Sequence, residues 1–388
     1  MSHLLIIIIY ISFIGLGLPD GLLGAAWPSM YGELSVPVSY AGTISMIITL
    51  GTVVSSLSSD YLTYKLGTGK ITAISTGMTA FALLGFSFSN SYRMLCLMAV
   101  PYGLGAGGID AAINNYVALH YSSRHMSWLH CMWGLGAMIG PYIMGYILSG
   151  GQHWSSGYRY VGLLQMCLTL ILIISLPIWK GRIMVSDNND PDHMHAAEPL
   201  PLNQVIRIPG AKEIMTAFFC HCALEQTALL WAGSYFVLNE GFNSETAAFY
   251  ASAYFVGVTI GRAICGFITE KLSDTQLIRL GSIITGIGLF IMMLPLSEYM
   301  AVIGYILVGL GCAPIYPCII HATPGLFGPE RSQSLIGVQM ASAYVGSTVM
   351  PPIFGLIAEY ISISFLPYLL MIILILMAVM YERLLKKI

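Results

Sequence analysis

The chain has 388 residues, 56% of them hydrophobic and only 9% charged, and its mean hydropathy is +0.77. A soluble domain carries about 25% charged residues, so a soluble globular protein is excluded and a polytopic membrane protein is indicated. The formal net charge of −2 gives no basic surface for nucleic acid.

The first apolar run opens at Leu4, after Met-Ser-His, with no basic stretch before it and no small-residue cleavage site behind it. It therefore reads as a retained first span. Apolar runs of helical length cover 4–29, 38–59, 71–89, 94–119, 127–149 and 157–179. Residues 180–210 are polar, with Asp187-Asn-Asn-Asp-Pro-Asp and scattered prolines, and read as a linker. Six more runs follow at 211–238, 246–269, 275–296, 300–322, 332–358 and 364–382. The expected fold is an all-α membrane protein of twelve transmembrane helices. Its expected parts are a six-helix bundle over 1–179, a cytoplasmic linker over 180–210 and a second six-helix bundle over 211–388. With the N-terminus in the cytoplasm, fourteen Lys and Arg fall inside and only Arg93 and Arg159 outside. That asymmetry predicts a multi-pass protein of the cell membrane with both termini and the linker cytoplasmic. All eight cysteines lie in apolar runs and suggest neither a disulfide framework nor a metal site.

The two halves repeat one another. Gly51 and Lys65-Leu66 match Gly257 and Lys271-Leu272 at an offset of 206, and Gly103-Leu-Gly105 matches Gly309-Leu-Gly311 at the same offset. Gly136, Pro141 and Gly145 match Gly346, Pro351 and Gly355 at 210, and Asp20 matches Glu225 at 205. Near-equal offsets in the same order imply two pseudo-symmetric six-helix repeats.

Intramembrane polar residues carry the functional reading. Asp110 lies in Gly103-Leu-Gly-Ala-Gly-Gly-Ile-Asp110-Ala-Ala-Ile-Asn114-Asn115. A carboxylate there costs about 2.5–3.5 kcal/mol to insert and should face a cavity or a partner. Asp110 and Asn114 are four apart and share a helix face. Asp20 follows Gly17-Leu-Pro19 in the first span, where glycine and proline loosen the helix; it reads either as a cavity group or as a hinge residue near the outer surface. Glu225-Gln226 sits in the seventh span, with Trp231 and Tyr235 further along it. These planar hydrogen-bonding groups and aromatic faces suit a sugar, although Trp231 and Tyr235 also fit an interfacial aromatic belt. His130 and Trp133 in the fifth span, Tyr316 in the tenth, and Gln339 and Tyr344 in the eleventh are further solute-contact candidates, each of which reads equally as helix packing. No spacing suggests a metal site, no nucleotide-binding loop is present, and no nucleophile–base pair supports an enzyme.

These residues give the chain a family resemblance. Asp60-Tyr-Leu-Thr-Tyr-Lys65-Leu-Gly67-Thr-Gly69-Lys70 resembles the glycine/basic signature of the major facilitator superfamily, with Ser56 where that signature opens on glycine. Gly261-Arg262, Gly266 and Lys271 resemble its second-half counterpart. Asp110 to Asn115, Leu129-His130, Glu225 with Trp231 and Tyr235, Gly309 to Pro317, and Gly337-Val-Gln339 through Pro352 resemble the fucose–galactose–glucose/proton symporter branch. The resemblance implies a monomeric secondary transporter with a midplane site and no cofactor. Its coupling ion would be a proton, taken up at Asp20 and Asp110; as a carboxylate serves sodium equally, that ion stays open. The solute site would draw on Asn114, Asn115, His130, Trp133, Glu225, Gln226, Trp231, Tyr235, Tyr316, Gln339 and Tyr344. Asp60, Lys65 and Lys70, with Arg262 and Lys271, would form a cytoplasmic gate. The other reading is a proton-driven exporter of drugs or metabolites, because Gly136-x-x-x-Gly140-Pro141 resembles the antiporter signature of the same superfamily.

Overall fold

The structure, a computed structural model, describes residues 2–37, 40–180, 200–242, 250, 253–269, 271–294 and 297–388. In chain order the helices are α1 (Ser2–Gly17), α2 (Leu22–Glu33), α3 (Tyr40–Leu66), α4 (Thr68–Ser87), α5 (Tyr92–His120), α6 (Ser123–Ser149) and α7 (Trp154–Lys180). There follow the single turn α8 (Leu202–Val205), then α9 (Ala211–Leu238), α10 (Ala253–Ile268), α11 (Asp274–Met293), α12 (Glu298–Cys312), α13 (Ile315–Phe327), α14 (Pro329–Tyr360) and α15 (Leu366–Lys387). Nine stretches among the described residues are long and apolar enough to cross a membrane, and Val256–Ile268 is a shorter apolar helix. The helices α4 and α9 have the length but are more polar. The first buries Thr72, Ser75, Thr76 and Thr79, and the second carries Lys212, Glu213 and Glu225. Most of the expected linker, 181–199, lies outside the described residues, as do 38–39 and parts of 246–252 in the expected second and eighth spans.

Two spans are interrupted where the sequence removes backbone donors. Between α1 and α2, Pro19 lacks an N–H, and the chain turns through Asp20 N–H to Gly17 O (3.1 Å) and Leu22 N–H to Pro19 O (3.1 Å). Between α12 and α13 the break falls at Ala313-Pro314, with Pro314 capping α13. Apolar side chains point outward in stripes, such as Met46, Leu50, Val54 and Leu57 on α3 and Ile283, Ile287 and Phe290 on α11. A hydrocarbon surround suits such a surface.

The chain forms two compact units: Met1–Tyr116 with Leu129–Leu200, and Val117–Trp128 with Pro201–Ile388. In the first, Trp154, Tyr158, Phe86, Leu22 and Met30 form the centre of a buried cluster. In the second, the segment 117–128 is held by named contacts. Ser123 Oγ donates to Asp274 Oδ1 (2.5 Å), Tyr121 O accepts from His321 Nε2 (3.1 Å), and the Trp128 ring meets Phe267 edge-on.

Within each unit, backbone meets backbone at glycine, and the contacts correspond residue for residue. A Cβ on Gly103 would strike Ile48 O, and one on Gly309 would strike Tyr254 O; both pairs are related by the offset of 206. Gly105 lies against the Ser75 carbonyl and Thr79, and Gly311 against the Gly281 carbonyl and Thr285, again 206 apart. Gly136 lies against the Ile14 carbonyl as Gly346 does against the Phe219 carbonyl. The sequence repeat is therefore a repeat of helix–helix contact points. Small residues allow this close approach where apolar lipid provides no force to drive helices together.

Candidate functional site

In the first unit, Gly17 packs on the backbone of Trp133 and Ala137, and Gly21 on the Pro141 ring, while Gly136 and Gly140 press on the carbonyls of Ile14 and Leu18. These contacts bring the α1–α2 turn against α6. They account for the Gly136-x-x-x-Gly140-Pro141 run as packing. Asp20, which stays exposed to open space, accepts from Trp133 Nε1 at Oδ2 (2.8 Å) and from Tyr102 OH at Oδ1 (3.3 Å). Tyr102 escaped the sequence reading; its signal was a spacing of eight from Asp110, which puts both on one face of α5.

Asp110 is 5% exposed and Asn114 fully buried. Asn114 Nδ2 donates to Asp110 Oδ1 (2.7 Å) and to the Asp110 carbonyl (2.9 Å), and its Oδ1 lies 3.1 Å from His130 Nε2. Since a carbonyl can only accept, the amide nitrogen faces Asp110 and the oxygen faces His130, so His130 Nε2 donates. Phe13 closes over the imidazole, edge to face at 5.6 Å. A carboxylate, an amide and an imidazole thus form one hydrogen-bonded line across α5 and α6. Asn115 is buried beside it. The arrangement can hold or release a proton at Asp110 and orient a polar group through His130.

The second unit answers differently at the matching places. The counterpart of Asp110 is Tyr316 and that of His130 is Met340, and Tyr316 OH donates to Met340 Sδ (3.1 Å). Scaffold contacts are kept and the polar line is not. Glu225, the counterpart of Asp20, lies 3.7 Å from His221 Nε2, and Gln226 is exposed. Trp231 Nε1 donates to Pro351 O (2.9 Å) and Tyr235 OH to Met292 O (3.3 Å), so both bind backbone within the unit. Gln339 is fully buried and exchanges hydrogen bonds with Thr323 (3.1 Å). Tyr344 is half-buried on α14.

The residues read as a gate divide between the two units, with Asp60, Lys65 and Lys70 in the first and Arg262 and Lys271 in the second. In the first unit, Asp60 Oδ2 accepts from the Leu200 N–H (3.1 Å), which ties down the end of the linker. Lys65 lies over the Tyr61 ring at 4.3 Å. Lys70 edges a cleft formed with Leu66, Tyr116, Leu176 and Trp179. The signature glycines have local reasons: Gly67 has φ +79°, and Gly69 lies flat against the Trp179 indole. In the second unit Lys271 is exposed, but Arg262 is 7% exposed. The helix α10 continues to Ile268, about 9 Å beyond Arg262 at 1.5 Å per residue, so Arg262 stands short of the helix end. Asp274 and His321, joined Oδ2 to Nδ1 at 2.6 Å, are polar groups at that end of the unit that sequence reasoning missed. The available signal was Ser273-Asp274-Thr275-Gln276, a capping box that marks the start of α11. Among the described residues no group of His, Cys, Asp and Glu is placed to hold a metal.

The model of the Major Facilitator Superfamily matches residues 9–297 and, in a second match, 214–387, and the chain belongs to that superfamily. It is a membrane transporter and not an enzyme, with twelve transmembrane helices in two pseudo-symmetric six-helix bundles. It is similar to Bypass of stop codon protein 6 of Saccharomyces cerevisiae, at 22% identity over 95% of this chain and 80% of that one. It is also similar to the cis,cis-muconate transport protein of Acinetobacter baylyi, at 21% identity over 92% of this chain and 89% of the other. Among solved structures, the fucose transporter FucP in its outward conformation aligns with a TM-score of 0.72 at 15% identity, covering 99% of this chain and 98% of that one. The proton:xylose symporter XylE bound to 6-bromo-6-deoxy-D-glucose aligns with a TM-score of 0.78 at 10% identity, covering 97% and 94%.

Proposed function

We propose that this transporter takes up a small polar solute, a sugar in the first instance, together with protons, by alternating access. The observation that carries the reading is the first unit's polar line. Asp20 is held by Trp133 and Tyr102, and Asp110 is joined through Asn114 to His130, all within an apolar unit. Intramembrane carboxylates with polar partners mark ion and substrate pathways. Asp20 and Asp110 are the proton-coupling groups, and Asn114, Asn115, His130 and Trp133 are solute contacts from the first unit. The names of the solved neighbours, a fucose:proton symporter and a proton:xylose symporter, support a sugar. In the proposed orientation the protein lies in the cell membrane with both termini in the cytoplasm.

The test is proton uptake by vesicles containing the protein and an internal pH dye, at zero membrane potential, with hexoses and pentoses added outside. Wild type acidifies the lumen with a sugar, and Asp110→Asn and Asp20→Asn lose acidification while retaining solute exchange. Sugar uptake that follows a sodium gradient with no pH change would overturn proton coupling. Proton movement in the opposite sense, driven by hydrophobic cations, would identify an exporter.

A further inference from the structure

One buried amide of the first unit has no place in the coupling scheme. Gln165, on α7, is 2% exposed, and its Nε2 donates to the Gly15 carbonyl at the end of α1. A carbonyl only accepts, so the amide nitrogen is the atom that faces Gly15. The other amide atom, Oε1, is buried with no hydrogen-bond partner among the described residues. An acceptor buried unmade is unfavourable, and an apolar side chain at this position would avoid that cost. Packing therefore does not account for a glutamine here; the bond made by its nitrogen does.

The need for that bond is written in α1. A helical carbonyl accepts from the N–H four residues on. For Gly15 that residue is Pro19, which has no N–H. The neighbouring donors are engaged elsewhere: Leu18 N–H goes to Ile14 O (3.0 Å) and Asp20 N–H to Gly17 O (3.1 Å). The Gly15 carbonyl is thus stranded by its own helix, and Gln165 reaches it across 150 positions of chain. Glycine at 15 admits the reach, because an ideal Cβ there would strike Leu168 Cδ2 and crowd Gln165 Oε1. Gln165 and Leu168 share one face of α7, so both meet α1 at this point. The break that strands the carbonyl also carries Asp20, the residue after Pro19. From that turn Asp20 accepts from Trp133 Nε1 (2.8 Å) and Tyr102 OH (3.3 Å).

We infer that Gln165 is a positioning residue for Asp20: its amide stands in for the N–H that Pro19 lacks and fixes the α1–α2 turn from which Asp20 meets Trp133 and Tyr102. Without the amide, the end of α1 can shift on α7 and the carboxylate shifts with it. The role in transport rests on Asp20 being a proton-coupling group; the role in the turn does not.

The experiment uses the full chain in detergent, isotope-labelled at its tryptophan indole nitrogens, and needs no solute. The chain has six tryptophans, and Trp133→Phe identifies the Trp133 indole N–H resonance. In Gln165→Leu that resonance shifts, while the Trp231 indole, bonded within the second unit, stays in place. The thermal unfolding midpoint of Gln165→Leu falls by at least about 2 °C. In the Pro19→Ala background, where residue 19 has an N–H to give, the same substitution costs less than half as much. An unshifted Trp133 indole in folded Gln165→Leu overturns the inference, as does an equal loss in both backgrounds. If Gln165→Leu does not fold, the Pro19→Ala/Gln165→Leu double variant decides: recovered folding supports the stand-in, and a double variant that stays unfolded overturns it. In vesicles, Gln165→Leu lowers sugar-driven acidification at least about fivefold and retains exchange at equal pH; undiminished acidification overturns the role in transport. A wild type that moves no protons with any sugar refutes the coupling reading instead, and the indole and midpoint results still judge Gln165.

Discussion

Placing a methyl group on Gly103 tests the repeat at its tightest point. An ideal Cβ there would lie more than an ångström inside the roughly 3.3 Å of a close C–H···O contact with Ile48 O. The obstacle is backbone on α3, so no side chain can rotate away, and α3 and α5 must part. Overpacking of this kind costs about 1–3 kcal/mol, against a gain of up to about 1 kcal/mol from replacing a helical glycine by alanine. Gly103→Ala should therefore lose up to about 2 kcal/mol. Gly309→Ala, which meets Tyr254 O in the same way, should lose a similar amount. Gly145→Ala on α6 and Gly233→Ala on α9 meet nothing within 4 Å and should be neutral or slightly stabilising. The assay is thermal unfolding of the four variants in one detergent, read by far-ultraviolet circular dichroism. If Gly103→Ala unfolds with Gly145→Ala, the close contact is not what holds α3 to α5. If Gly103→Ala and Gly309→Ala differ sharply, the two units do not share a packing scheme.

Other outcomes follow from single contacts. Trp133→Phe removes the indole donor from Asp20 and with it a charged hydrogen bond of about 1.5–3 kcal/mol; in vesicles it should lower proton-coupled uptake at least tenfold and, as a solute contact is trimmed as well, weaken exchange at equal pH. Unchanged uptake and exchange would remove Trp133 from both roles. At the α2–α7 end of the first unit, Glu33 accepts from Trp154 Nε1 (2.7 Å) and His153 Nε2 (2.8 Å). Slight desolvation pushes the carboxyl up, but those two hydrogen bonds outweigh it and hold Glu33 below its ordinary value. The contact therefore stabilises above the ordinary carboxylate range and is lost as pH falls through the lowered one. Because the pair is half exposed, its worth is about 0.2–1 kcal/mol. Trp154→Phe should accordingly flatten the acid limb of the unfolding midpoint between pH 6 and pH 3, roughly the carboxylate range, and an unchanged limb would remove Glu33 from the account. His321→Leu strips Asp274 and the Tyr121 carbonyl of a donor; it should expose a cysteine placed at Ser127, fully buried on the same segment, to thiol reagents, and unchanged labelling would show that the segment is held without His321.

Much of this architecture could be read along the chain because lipid imposes it. A span must be apolar for about twenty residues, so spans appear as hydropathy. Helices in lipid approach through small residues, so the contact points appear as Gly51, Gly103, Gly257 and Gly309 at one offset. Asp110 and Asn114 are neighbours by helical spacing alone, and they bond as that spacing requires. What the chain order hides is which helix stands opposite. Trp133 reaches Asp20 across 113 positions and Tyr102 reaches it across 82, and no periodicity encodes either. Trp231 and Tyr235 illustrate the converse. Their residue types suit a sugar ring, but each has a backbone carbonyl within reach on a neighbouring element. The helix that carries Arg262 is legible too, since the eighth apolar run covers 246–269 and α10 continues to Ile268; which groups stand around that side chain is not.

The exchange of Asp110 and His130 for Tyr316 and Met340 on matching contact points has a consequence for how such a chain can change. Fastening and cargo are carried by different atoms. The fastening is main chain against glycine, indifferent to which side chain stands one turn away, while the cargo is side chain alone. Each unit is therefore an interchangeable socket. Writing Asp, Asn and His at positions 316, 320 and 340 should seat a second copy of the polar line in the other unit without loosening a helix. By the same logic, either copy can drift to a new specificity while its twin keeps the old one.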